Sequence, residues 1–408
     1  MKTRRIVILT RRFWPLSGPG QQFVADVAGA FAEKGHDVSV ITAAWQKEWP
    51  TECSFREFRL LRVPRPAPGP WGTFRFQRPM LRALEDLRPD AVLIFGTGRD
   101  IGPIKKLVGE KVRCVVRTDH RHLFERGRGT RKPLNLELAD ALICDSNQTR
   151  NELVARKFVL PRRIETVVDG VQFPENHQRS LFRQANSRTA LGDAHPIFRV
   201  EPAQPLVVTA APLNGDGGMH DLIDAWRIVM ESFPKSKLWI LGDGPRGRKV
   251  WDQISSQNMV YSAIMPGYFD EHGDIFQAAD LYVHPMRKTV NCRGLLEAIA
   301  SQLCAVVTQG SIDPLPHLDS AAQRGLAVVE KDVSGIVTPA GNAAALGEAI
   351  TMALGNSDLR ARLGRSAANR FRNAIDIDLV AERFLECLFP AAMEASPSTT
   401  GSEEAGTG

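Results

Sequence analysis

Short, unbroken apolar runs alternate with helical stretches twice along the 408-residue chain, and this double alternation constrains the fold more than any other feature. In the first half the runs Ile6–Thr10, Asp37–Thr42, Ala91–Phe95, Cys114–Arg117, Ala141–Cys144 and Ile164–Val168 read as strands. Between the first two, Gln22–Lys34 places Phe23, Val27, Ala30 and Phe31 on one helical face. Strands that are apolar throughout belong to a parallel sheet covered on both sides. The second half repeats the pattern with strands at 206–210, 237–241, 281–284 and 305–308. Helices are expected at 220–233, 246–256, 294–301, 343–354, 358–373 and 376–388. Two doubly wound α/β domains in tandem leave a cleft between the carboxyl ends of two sheets, the edge where open α/β sheets bind ligands.

Prolines mark the breaks. Pro64, Pro66, Pro68 and Pro70 predict a surface segment. Pro196, Pro202 and Pro205 place the interdomain linker at 196–205, with a first domain over 1–195 and a second over 206–374. Residues 375–390 form a last helix, and 391–408, with no aromatic residue, read as a disordered tail.

The net charge of +6 conceals an asymmetry. Residues 1–200 hold 35 Lys and Arg against 21 Asp and Glu, and the remainder holds 17 against 25. A basic first domain faces an anionic partner: a membrane surface or an acidic acceptor. Its densest stretch is Arg113–Lys132. Nucleic acid is not expected, because the cations are spread over many elements and no recognition motif occurs. The apolar run after Lys2, Arg4 and Arg5 stops at Arg11, short of the roughly 7–15 residues of a secretory signal. Nothing approaches the about 20 apolar residues of a membrane span. The expected location is the cytoplasm, peripheral at most on the inner face of a membrane. Six scattered cysteines without a C-x-x-C pair give no zinc or redox site.

Gly242-Asp243-Gly244-Pro245-Arg246-Gly247 follows an apolar strand and opens a helix. As a dinucleotide fingerprint it is weak, since no acidic residue stands about 20 positions on to hold a ribose. Its plain alternative is a tight strand-to-helix turn.

With its neighbours, however, Ile240–Pro245 resembles the "hhGxGP" element of glycosyltransferase family 4, and other elements follow in that family's order. Pro15–Gly20, then Phe23-Val24 and Gly35–Val38, resemble its glycine-rich first loop, helix and second strand. Ala139-Asp140-Ala141 through Asp145-Ser146 and Leu153 resembles "ADxhhxxS…L". Val167–Val171 resembles "hxNGhD" with Asp169 in place of Asn. Ala278–Pro285 resembles "yxxADhhhhPS", and Leu296–Ser301 resembles "LEAMAxG". The resemblance spans residues 5–385.

It implies a GT-B fold: two Rossmann-like, doubly wound domains with an interdomain cleft, the last helix crossing back to the first domain. It implies a retaining transfer of a sugar from a nucleotide-sugar donor to a glycan or lipid-linked acceptor of the cell envelope. The donor would be held by Gly18 and Gly20 of the first loop, by Gly242, Gly244 and Pro245, and by the helix start carrying Leu295 and Leu296. Glu297 would accept hydrogen bonds from the donor ribose. His120, with His122 as its competitor, would stand at the reacting sugar. No divalent metal or other cofactor is expected, because glycine loops, cations and helix N-termini can hold a diphosphate.

The departures fall where that chemistry should be. The family's phosphate-binding Arg and Lys align with Pro212 and Gly217. The first of its paired glutamates aligns with Thr289, and an expected Gly with Cys292. Arg287, Lys288 and Arg293 are the candidate substitutes, with Arg11 and Arg12 near the first loop. Without one, the alternative is a catalytically impaired GT-B protein that binds nucleotide or glycan without turnover. A nucleotide-sugar epimerase is a third reading.

Overall fold

The computed structural model describes residues 2–65, 70–119, 135–174, 179–213, 218–287, 293–309 and 329–390. The first sheet comprises β1 (Arg5–Leu9), β2 (Asp37–Ala44), β3 (Glu52–Phe55), β4 (Phe58–Pro64), β5 (Ala91–Phe95), β6 (Arg113–Thr118), β7 (Ala141–Cys144) and β8 (Ile164–Thr166). Their order is β3-β4-β2-β1-β5-β6-β7-β8, parallel throughout except for the β3–β4 hairpin. The second sheet comprises β9 (Leu206–Ala210), β10 (Lys237–Leu241), β11 (Ala263–Gly267), β12 (Leu281–His284), β13 (Ala305–Thr308) and β14 (Ile336–Thr338). It is parallel in the order β11-β10-β9-β12-β13-β14. The fold is α/β with two doubly wound sheets, as expected.

Helices cover both faces of each sheet. In the first domain these are α1 (Pro19–Glu33), α2 (Pro70–Leu87), α3 (Ile101–Val108) and α4 (Asn147–Ala155). The second carries α5 (Leu181–Ala194), α6 (Gly218–Ser232), α7 (Gly247–Ser256), α8 (Gly273–Ala278), α9 (Arg293–Ala300), α10 (Ala343–Leu354) and α11 (Ser357–Ile375). The last helix, α12 (Ile377–Leu388), returns to the first domain. It puts Ile377, Val380, Phe384 and Leu388 into a core shared with Phe23, Val27 and Phe31 of α1. The outgoing and returning segments of the chain are bonded to each other. Val171 N–H donates to Ile375 O at 2.8 Å, and Ile377 N–H donates to Val171 O at 3.0 Å.

Three local expectations need correction. First, the proline-rich segment does not extend through Pro70, because Pro70 opens α2; its fixed φ suits a first helical position, where no N–H bond is required. Second, the strand expected at 164–168 ends at Thr166. Third, the chain has crossed before 196–205. Helix α5 already lies on the second domain, where buried Arg188 bonds Ala278 O and the Asp280 carboxylate. Phe198 and Val200, within the expected linker, are buried in the second core, with Phe198 5.0 Å from the Trp239 ring. Apolar side chains there gain more from burial than a solvated linker would allow.

Candidate functional site

In each sheet the strand order reverses at one place: between β1 and β5 in the first, between β9 and β12 in the second. Ligands of open α/β sheets sit outside the strand ends at such points. Three second-domain segments converge there because glycines let their backbones touch. A Cβ on Gly294, in the first turn of α9, would stand 2.6 Å from Ala210 O at the end of β9. One on Gly242 would stand 2.2 Å from Ala211 O, the next carbonyl. One on Gly218, which opens α6, would stand 2.0 Å from Pro285 O beyond β12.

The Gly242–Pro245 turn is committed to this packing. Gly242 N–H donates to Gly267 O at 2.9 Å, and Gly244 N–H to Asp243 Oδ1 at 2.7 Å. Gly242 and Gly244 have φ of 154° and 159°, and a Cβ on Gly244 would lie 2.5 Å from Leu213 O. The described bonds thus follow the plain turn reading, which leaves exposed Pro245 and the loop's outer edge to meet a ligand. Leu295 and Leu296 are buried in the second core.

The first loop meets the second domain. Ser17 Oγ donates to Asp270 Oδ2 at 2.8 Å. Gly18 precedes α1 at φ 154° and accepts Gln22 N–H at 3.0 Å. Gly20 has open space where a Cβ would point, so sterics alone do not demand glycine there.

The centre of the cleft is a chain of charges. Glu297 Oε1 lies 2.5 Å from Arg293 Nε, and Glu297 Oε2 lies 2.5 Å from His272 Nδ1. Arg293 reaches across to Asp26 of α1, Nη2 to Oδ2 at 2.6 Å. The other Asp26 oxygen takes Arg56 Nη1 at 2.9 Å. Every member except Arg56 is nearly buried, with side-chain exposures of 6% for Asp26, 8% for His272, 9% for Arg293 and 14% for Glu297. Burial opposes the Arg293 charge, but Glu297 and Asp26 outweigh it and hold the guanidinium pKa above its usual value. Tyr268 borders the group; burial, then Asp270, push its hydroxyl pKa up.

A second ion pair, with Arg117 buried and Asp169 partly exposed, stands at the first sheet's edge. Arg117, at the end of β6, bonds Asp169 and lies over the Phe23 ring at 5.5 Å. Burial, with help from Asp145 and Asp119, raises the Asp169 pKa against the pull of Arg117. Arg117 is therefore no free surface cation. Nor is Arg113, whose Nε donates to Cys387 O at 2.6 Å. The basic stretch at 113–132 is to that extent structural.

Other candidate cations are also engaged. Arg287 binds Asp221 of α6 through Nε at 2.7 Å and Nη2 at 2.5 Å. Arg11 binds Asp100 at 2.8 Å, and Arg12 lies over the Trp45 ring. His120, His122, Gly217, Lys288, Thr289 and Cys292 lie outside the described residues. Among the described residues, no group of three or more His, Cys, Asp or Glu is placed to hold a metal ion. Sequence reasoning missed Asp26, Arg56 and His272. Their partners are distant in the chain, and no spacing rule links them.

Two family models divide the chain at its crossing. Glycosyltransferase Family 4 matches residues 20–173, and Glycosyl transferases group 1 matches residues 194–370. The chain belongs to the group 1 glycosyltransferases. Among curated proteins, sulfoquinovosyl transferase SQD2 of Arabidopsis thaliana is 23% identical over 201 residues, which are 49% of this chain and 37% of that protein. The chain thus matches little more than a third of that relative's length. Several solved structures resemble it over nearly their whole length. Anabaena Alr3699/HepE, solved with UDP and glucose, has a TM-score of 0.70 at 15% identity, with 94% of this chain and 99% of that one covered. A glycosyltransferase of Rickettsia africae has a TM-score of 0.69 at 13% identity, with 95% and 98% covered. Among the described residues of this glycosyltransferase, no helix is long and apolar enough to cross a membrane.

Proposed function

We propose that the protein transfers a sugar, with retention at the anomeric carbon, from a nucleotide-sugar donor to a glycan or lipid-linked acceptor. The observation that carries this reading is Glu297. Its carboxylate stands in the first turns of α9, paired with Arg293, which itself reaches Asp26 of the first domain. A carboxylate is acceptor-only and suits a pair of ribose hydroxyls. The N-terminus of α9 presents N–H groups that a helix does not use internally, and such groups suit a diphosphate. HepE, of the same fold, is solved with UDP-glucose, and WaaG, also of this fold, is described as acting in lipopolysaccharide biosynthesis.

In this reading no divalent metal takes part, and the basic first domain meets an anionic membrane or acidic acceptor. His120 is retained as the group beside the reacting sugar, where an imidazole can hydrogen-bond a hydroxyl. A transfer screen across nucleotide sugars, with and without lipid extract and with and without chelator, tests the whole reading. Release of nucleoside diphosphate with labelled acceptor supports it. Glu297→Ala should lose at least about tenfold in nucleotide affinity, the scale of one hydrogen bond to a charged group. Equal binding by both proteins rejects the role of Glu297.

One observation favours a second reading. Pro212 offers no charge where the family places Arg, and both Glu297 oxygens are already engaged. A protein that binds nucleotide or glycan without turnover would bind in calorimetry and release no diphosphate in the same screen.

A further inference from the structure

The losses at 212 and 217 leave the diphosphate of a nucleotide without its two side-chain cations. Arg287 is a poor replacement, because Asp221 holds it in two bonds and its side chain is 43% exposed. Arg293 differs in three ways. It is the first residue of the eight-residue helix α9, so its side chain departs from the helix N-terminus. Its side chain is only 9% exposed. Its Nη1 and Nε are buried without a hydrogen-bond partner among the described residues, Nε meeting Glu297 only as an ion pair at 2.5 Å, while Nη2 is bonded to Asp26. A guanidinium has five N–H donors, and buried donors left unmade are costly, so this one is poised for a further acceptor.

The two carboxylates on Arg293 each have a second partner. Asp26 also holds Arg56, and Glu297 also holds His272. Asp26 can release Arg293 and keep the Arg56 cation, avoiding the unpaired buried charge that makes breaking such pairs expensive.

We infer that Arg293 is the cation that binds the diphosphate of the donor, and that Asp26 is the counter-ion it exchanges for it. This rests on the donor reading above. Before nucleotide arrives, the Asp26–Arg293 bond ties α1 to α9 across the cleft. When a diphosphate reaches the start of α9, Arg293 turns its Nη1 and Nη2 to the phosphate oxygens. Asp26 stays on Arg56, and Glu297 stays on His272 with an oxygen available to the ribose. The exchange couples donor binding to release of an interdomain bond.

The test is calorimetry on the full chain with three probe series: UDP, UMP and uridine, and the corresponding adenine and guanine sets. Arg293→Gln should lower diphosphate affinity by about 10- to 100-fold, the range of a charge-assisted hydrogen bond, while nucleoside affinity stays within about twofold. Arg293→Lys should recover part of the loss. Asp26→Asn, which keeps Arg293, should tighten diphosphate binding several-fold because the competing charge is gone. It also serves if Arg293→Gln fails to fold, as thermal melting would reveal. An unchanged ratio of diphosphate to nucleoside affinity in Arg293→Gln overturns the inference and leaves the donor reading intact. Weaker diphosphate binding by Asp26→Asn also overturns it. A wild-type protein that binds none of the nucleotides removes the donor reading and this inference together.

Discussion

Phe384 of the last helix stacks on Phe95 at the end of β5, with ring centroids 6.3 Å apart and planes 15° from parallel. The same ring meets Phe23 of α1 edge-on at 6.0 Å. The return of the chain is therefore anchored beneath the first loop and the start of the cleft. Phe384→Ala removes a fully buried ring from between two others. It should destabilise the protein by about 3–5 kcal/mol. Denaturant unfolding followed by tryptophan fluorescence measures this, and a loss below about 1 kcal/mol would mean that α12 is only loosely docked.

The glycines at the cleft separate into two kinds. Gly218 abuts backbone: a Cβ there would meet Pro285 O at 2.0 Å, and backbone cannot swing away as a side chain can. Gly20 has nothing within 4 Å of where its Cβ would be. Gly218→Ala should cost about 1–3 kcal/mol by overpacking. Gly20→Ala should be neutral or stabilising by about 0.5–1 kcal/mol, since alanine loses less backbone freedom in a helix. Paired melting curves decide this. Equal midpoints would show that α6 and the loop after β12 can part at little cost.

The elements legible in the sequence were those whose own side chains specify them. Strands β9, β10, β12 and β13 and helix α10 lie at the residues expected, because each is an apolar run or an amphipathic stretch with clear ends. Strand β11 was not expected; it is short and ends in Pro266 and Gly267, so its backbone pairing with β10 defines it rather than its propensity. Helix α5 was missed for another reason. It is held by Arg188 and Gln184 reaching carbonyls of the second domain, an attachment that leaves no apolar periodicity to read. The site shows the same division. Glu297 was found from its flanking residues, whereas the Arg293–Asp26 link beside it joins positions 267 residues apart that only the docking of two domains brings together.

His36 closes the turn between α1 and β2, and its Nδ1 accepts Arg4 N–H at 3.4 Å. Burial, followed by the charges of Arg4, the N-terminus and Lys34, lowers its pKa below 6.5. The folded state then binds fewer protons than the unfolded state just below pH 6.5. The contribution to stability is present above the unfolded value and is lost as pH falls through the folded one. His36→Asn should therefore show a shallower fall in melting temperature below pH 6.5 than the wild type. Identical slopes in the two proteins would place the acid sensitivity elsewhere.

His272 is the last partner to weigh, because it touches nothing that the family pattern would mark apart from Glu297. Its side chain is buried, its ring lies nearly parallel to Phe276 at 5.1 Å, and its Nδ1 is aimed at Glu297. The stack fixes the ring plane, and the ring then fixes one Glu297 oxygen. If Glu297 accepts from a ribose, His272 acts through it as a positioning residue. His272→Ala should weaken nucleotide and nucleoside binding alike, by about tenfold or more, given about 1.5–3 kcal/mol for a hydrogen bond to a charged group. His272→Asn, which retains a donor near Nδ1, should restore part of the affinity. A purely structural role predicts a different pattern: a lower melting temperature in both variants, with nucleoside affinity unchanged in whatever protein remains folded. Calorimetry with uridine, adenosine and guanosine beside thermal melting distinguishes the two, and unchanged affinity in His272→Ala rules out the positioning role.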